Sequence, residues 1–139
     1  MKKLLLIFTL LFSTLMFSLP SYAEWTEVSF TLDGKTKNYD VGETTFYVDF
    51  DTIRKHDGYV YYWDLANYLK PLKKEVFSSK IYWQGDCKLF RSKVLSDFYY
   101  SEPMGRGIPI ISSNTPDDEW SYAPPNSSHE KILKSVCTK

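Results

Sequence analysis

The chain has 139 residues, 43% hydrophobic and 24% charged, and its 17 basic side chains balance 17 acidic ones. That length fits one domain, and four Trp, eleven Tyr and nine Phe exclude an unstructured chain, because so much aromatic surface needs a core or a partner. Zero net charge argues against a nucleic-acid binder, which carries a basic excess to neutralise phosphate.

Met1-Lys2-Lys3 is a short positive segment, Leu4 to Leu19 is almost unbroken apolar sequence with Ser and Thr, and Ser21-Tyr22-Ala23 places small residues at the positions a signal peptidase reads. That order predicts a cleaved secretory signal over residues 1–23 and a single domain over 24–139. An uncleaved membrane anchor is the competing reading, since the apolar run falls only a little short of the roughly 20 residues of a span. The helix breaker Pro20 and the triplet after it favour cleavage, so no span remains in the exported product. The remaining 116 residues carry 15 basic and 17 acidic side chains, a net charge of −2. Cys87 and Cys137, an even pair in an oxidising compartment, are most simply a disulfide. It would close a loop of about 50 residues and stabilise the fold by roughly 4 kcal/mol in the chain-entropy description. A single reactive thiol is the alternative.

Aromatic and β-branched runs separated by turn residues dominate from Trp25 to Ile111 and predict strands. Trp25–Thr31 is the first, with a hairpin turn at Asp33-Gly34. Thr44–Phe50 is the second, followed by a polar connection from Thr52 and a turn at Asp57-Gly58. Tyr59–Leu65 is apolar or aromatic on both parities, the pattern of a central strand. A charged loop at Pro71–Glu75 precedes a strand at Ser79–Cys87, with Ile81 and Trp83 on one parity. Ser92–Ser101 follows, carrying Val94, Phe98 and Tyr100, and Ile108–Ile111 with its proline suits an edge. After a polar loop over 112–126, Ser127 and Glu130 form a capping box that opens a helix of about ten residues. Ile132, Leu133, Val136 and Cys137 share its apolar face. The expected fold class is α+β: an antiparallel meander of about six strands, with a C-terminal helix on one face tethered through Cys137 to Cys87.

Catalytic chemistry is poorly provided for. His56 lies in the solvated run Arg54–Asp57 and His129 in the first helical turn, and neither is near a nucleophile elbow or a zinc-protease run. Asp117-Asp118-Glu119 offers oxygen ligands of the kind calcium takes, but adjacent loop carboxylates rarely converge on one ion. Asp49 and Asp51 read as turn caps, and Gly105-Arg106-Gly107 is too short for a phosphate loop. No catalytic residue, metal or cofactor is expected. The aromatic excess is the distinctive feature: 20 of the 116 residues, ten of them Tyr. Trp63, Trp83 and Phe98 are the expected core members. Tyr59, Tyr61, Tyr62, Tyr99 and Tyr100 are too many for one short helix to bury, so an exposed contact patch is expected. With Lys73 and Lys74 they are the candidate binding residues.

The ordered set Tyr47-Val48-Asp49, Thr52-Ile53-Arg54, Val60–Leu65, Ser79-Lys80, Asp86-Cys87, Arg91 through Tyr99-Tyr100-Ser101 to Met104-Gly105-Arg106-Gly107, Trp120, Pro125-Asn126-Ser127 and Val136-Cys137 resembles the bacterial surface-adhesin protein E-like family. The resemblance spans most of the exported part. It implies a six-stranded antiparallel sheet with a disulfide-tethered C-terminal helix. It also implies a non-enzymatic role in contacting a protein partner, either a host matrix glycoprotein or a second copy in a homodimer. The family's namesake is a lipoprotein, whereas this chain has no cysteine at its cleavage site. The expectation is an exported, unlipidated binding module in the periplasm or at the cell surface. The alternative is a periplasmic structural or envelope-stress protein whose aromatic face is buried in a homodimer.

Overall fold

A computed structural model describes residues 23–35 and 40–139, with side chains placed for all of these except 33–35, 40, 41 and 74. The expected signal segment lies outside the described residues apart from Ala23. Eight strands are described: β1 (Trp25–Lys35), β2 (Asp40–Asp49), β3 (Arg54–His56), β4 (Tyr59–Leu72), β5 (Val76–Asp86), β6 (Arg91–Tyr100), β7 (Ile111–Ser113) and β8 (Ser121–Tyr122). One helix, α1 (Ser128–Cys137), follows them. The strands form one antiparallel sheet in the order β1-β2-β4-β5-β6-β7; β3 pairs with β4, and β8 with β6. The main path is the expected six-stranded meander, with two short strands added at its margins.

Several boundaries differ from the sequence reading for local reasons. β1 runs straight through Asp33-Gly34 to Lys35, which pairs with Asp40, so the first hairpin turns later than expected. Asp57 and Gly58 do form a turn, both at positive φ (51° and 80°), and it joins β3 to β4 as a tight hairpin. The charged stretch at Pro71–Glu75 is a shorter connection than expected: β4 continues through Pro71 and Leu72, and one 3-10 turn, Lys73–Glu75, leads into β5. In β6, Val94 pairs with Trp83 but Ser96 pairs with Tyr82, which leaves Leu95 as a bulge. A bulge reverses the parity of everything beyond it. Val94 therefore faces the opposite side of the sheet from Phe98 and Tyr100, which simple alternation had placed together. At the far edge Ile111–Ser113 joins the ladder, preceded by Ile110, whose N–H donates to Tyr99 O at 2.8 Å, while Pro109 has no N–H to donate.

One sheet face packs on α1. Val48, Val60 and Tyr62 from the strands meet Ile132, Leu133 and Val136 from the helix, all buried. Ser127 caps the helix, its Oγ accepting from Glu130 N at 3.1 Å, while the Glu130 carboxylate reaches back to the N–H of Asn126. The helix start is also tied to β1, where Ser29 Oγ donates to Ser128 Oγ at 3.0 Å. At the other end, Cys137 is bonded to Cys87, with 5.7 Å between the Cα atoms. The turn that presents Cys87 is held by Asp86, whose Oδ1 accepts from the N–H groups of Lys88 and Leu89 and whose Oδ2 accepts from Arg91 Nε, all at 3.1 Å. These bonds, led by the one from Leu89, hold the Asp86 carboxyl below the usual carboxylate range.

Candidate functional site

Alternation along β4 sets the site. Its even residues, Val60, Tyr62 and Asp64, point toward the helix side and are buried. Its odd residues, Tyr59, Tyr61 and Trp63, point to the opposite face and are half-buried. The register carries that face across the sheet: Tyr61 lies opposite Gln84, Trp63 opposite Tyr82, and Leu65 opposite Lys80, which in turn lies opposite Phe98.

On this face the rings form a continuous row. Tyr61 and Tyr82 have centroids 6.4 Å apart, Tyr82 and Trp63 stack at 4.8 Å and 24°, and Trp63 meets Phe98 at 5.9 Å. Offset pairs of this kind contribute about 0.5–1.5 kcal/mol each beyond the area they bury, so they fix one another in place. Gln84 Nε2 donates to the Tyr61 hydroxyl at 3.2 Å. Toward one end of the face, Trp120 from the long loop stacks on Tyr59 at 5.5 Å. Arg91 and Lys93 lie over the Trp120 ring at 4.7 and 5.2 Å, which gives this end of the row a positive rim.

At the other end, Trp25 of β1 and Tyr100 of β6 flank the Lys80 ammonium, with Nζ 5.8 Å from one ring centroid and 5.0 Å from the other. These groups, with Asp49, Trp63 and Phe98, line an open cleft of about 330 Å³. Asp49 caps the 3-10 turn Phe50–Thr52, as expected, its Oδ1 accepting from Asp51 N at 3.2 Å. The turn after β6 packs against the Lys80 stem. Gly105 N donates to Ser78 Oγ and Met104 N to Asn67 Oδ1, both at 2.8 Å, which lays this turn across β4 and β5.

The expected binding residues do not form one group. Tyr59 and Tyr61 lie on the open face. Tyr62 is wholly buried against α1, because the central strand presents its even positions to the helix; it is a core residue and not part of a contact patch. Tyr99 pairs with Ser79 and points to the helix side, where burial and the neighbouring Asp97 push its hydroxyl up to about 12. Tyr100 is on the open face but only 8% exposed, with the Lys80 ammonium over its ring. Lys73 is exposed in the turn after β4, remote from the row, and the Lys74 side chain lies outside those described. Of the three expected core aromatics, only Trp83 packs on the core beside the helix; Trp63 and Phe98 belong to the open face. Trp25, Lys80, Tyr82, Arg91, Lys93 and Trp120 were missed. They come from four separate segments, β1, β5, β6 and the long loop, which only the folded sheet brings together.

The histidines have structural surroundings. His129 Nε2 is 2.6 Å from Ser92 Oγ and its ring lies 5.2 Å from Trp83, and burial pushes its pKa down. His56 is exposed, and its Nε2 lies 3.0 Å from the Asp57 carboxylate. Asp64, deep on the helix side, is the most perturbed acid: burial raises it to about 7 against the pull of the Trp83 indole and the Ile81 N–H. Asp117, Asp118 and Glu119 are exposed, and among the described residues no group of three or more metal-binding side chains gathers. No helix among them is long and apolar enough to cross a membrane.

The family model described as surface-adhesin protein E matches residues 32–138. Among solved structures, crystal form II of Haemophilus influenzae protein E aligns over 86% of this chain and 94% of its own, with 16% sequence identity and a TM-score of 0.54, a likeness of fold. No curated protein matches the sequence.

Proposed function

The chain belongs to the surface-adhesin protein E family, and from that premise we propose that it is an exported, non-enzymatic binding module whose contact surface is the sheet face turned away from the helix. The observation that carries this reading is the ring row Tyr61–Tyr82–Trp63–Phe98, stacked and half-exposed on the sheet face that the helix leaves open among the described residues. Large aromatic side chains anchor interfaces because they bury much area for little lost rotamer freedom. The Arg91 and Lys93 rim supplies charge for orienting a partner. The partner class that fits the family is a host matrix glycoprotein. Export rests on the leader pattern in residues 1–23, and the oxidised Cys87–Cys137 pair agrees with a compartment that permits disulfides.

Capture on immobilised matrix glycoproteins tests the reading. Tyr61→Ser and Tyr82→Ser should each weaken capture about tenfold while the protein stays folded by circular dichroism at the assay temperature, since each removes an interfacial ring. Undiminished capture by the double variant would remove this face from consideration. Sedimentation supplies the second check: a tight dimer in which these rings are protected would leave no free surface and favour a self-association role. N-terminal sequencing of exported protein should begin at Glu24.

A further inference from the structure

We propose that the cleft around Lys80 is a binding subsite for an acidic sugar unit, a pyranose bearing a carboxylate. The proposal rests on the reading that the open face is the contact surface, and it specifies which chemistry of a glycan-bearing partner is recognised.

Lys80 is half-buried, and among the described residues its ammonium has neither an ion pair nor a hydrogen bond. Its neighbours are the rings of Trp25 and Tyr100, on opposite strands of the sheet. Ring faces stabilise a cation but do not neutralise it, so the site retains an unmet preference for an anion. The side chain is also held in place. A Cβ at Gly105 would sit 2.3 Å from Lys80 Cε, so the turn backbone lies directly against the lysine stem, and Gly105 adopts a φ of +62° that suits glycine. A lysine fixed this way gives up little freedom when it binds.

The walls narrow the ligand class. Trp25, Trp63 and Phe98 make most of the cleft apolar, while Asp49 adds one carboxylate acceptor whose position is set by its bond to Asp51 N. A free inorganic anion would satisfy the ammonium but leave the rings unused. A neutral sugar would use the rings and leave the ammonium unmet. A sugar acid uses all three: its C–H face lies on the negative face of an aromatic ring, a hydroxyl donates to Asp49, and its carboxylate pairs with Lys80. The cleft volume of about 330 Å³ is at the low end of small-molecule sites, roughly 300–1,000 Å³, and matches one or two rings better than a long chain.

The test is titration of the purified protein with hyaluronan oligosaccharides and, at equal ring count, neutral cello-oligosaccharides, read by tryptophan fluorescence and by indole N–H shifts in NMR. The hyaluronan series should bind at least tenfold more tightly, shifting the Trp25 and Trp63 indole signals, and inorganic sulfate alone should not compete at equal concentration. Lys80→Met should lose that preference at an unchanged melting temperature, and Lys80→Arg should restore it. Equal binding of acidic and neutral sugars by the unmodified protein would overturn the proposal without recourse to any variant. So would unchanged hyaluronan binding by Lys80→Met. Capture on matrix glycoprotein before and after enzymatic deglycosylation separates the two readings. Capture that survives deglycosylation, from a protein that binds no sugar acid, leaves the contact face standing and ends the sugar proposal. Loss of capture by the Tyr61 and Tyr82 variants is expected under either.

Discussion

Gly85 on β5 makes the room that Leu133 of the helix occupies. A Cβ at Gly85 would lie 3.0 Å from Leu133 Cδ1 and 2.8 Å from Val60 Cγ1, too close on both sides. The helix therefore sits as low on the sheet as it does because one strand position lacks a side chain. Gly85→Ala should destabilise by about 1–3 kcal/mol, the usual cost of overpacking a filled core. Urea unfolding would show it as a lower midpoint with the same slope; an unchanged midpoint would mean that the helix rides freely over this strand.

The Cys87–Cys137 bond closes 50 residues of sequence. Replacing both cysteines with serine should cost about 4 kcal/mol by the loss of chain constraint. The helix should be the first element to lose protection, since its own ten residues are too few to persist alone. Hydrogen exchange on the double variant would follow it. Protection lost uniformly over the whole sheet would argue against a local staple.

Stability should depend on pH through two buried groups of opposite sign. Asp64 rises to about 7 in the fold from about 4 when unfolded, so the unfolded chain gives up this proton first, and Asp64's contribution falls as pH climbs from 4 to 7. His129 is pushed down by burial, so the unfolded imidazole takes its proton first, and stability falls as pH drops below about 6.5. Asp64→Asn should remove the first slope and keep the second, gaining at most about 4 kcal/mol near neutral pH for a shift of about three units. Melting temperatures from pH 4 to 8 would decide it: a variant curve parallel to the parent's would show that Asp64 is ionised in the fold.

Ser127→Ala removes the acceptor for the Glu130 N–H and should cost about 1 kcal/mol, whereas Ser127→Asp should keep the cap and add a favourable charge at the helix start. Thermal melts of the pair should differ by several degrees. Equal melting points would mean that the Ser29–Ser128 bond alone fixes the helix start.

Local signals in the sequence were reliable where the chemistry was local. The capping box, the cysteine pair and the Asp57-Gly58 hairpin could each be read from a few adjacent residues and the compartment implied by the leader pattern. Which tyrosines face outward was not readable, because β4 is aromatic on both parities and only the position of the helix separates Tyr61 from Tyr62. The Leu95 bulge was equally hidden: it swaps the faces of half a strand without a glycine or proline to mark it. The Lys80 cleft had no local signature at all, since its rings arrive from β1, β4 and β6 through pairing register alone.

The same covalent closure also sets how far the protein can be drawn out under load. A pull applied at Glu24 and Lys139 cannot lengthen the chain between Cys87 and Cys137, because tension crosses directly from one sulfur to the other. About 50 residues, roughly 170 Å of contour at 3.4 Å per residue, are withheld from extension, including β6 and the helix. Strands β1 to β5 lie outside the closed loop and would unravel first, so the extension reached under load is set by the chain before Cys87.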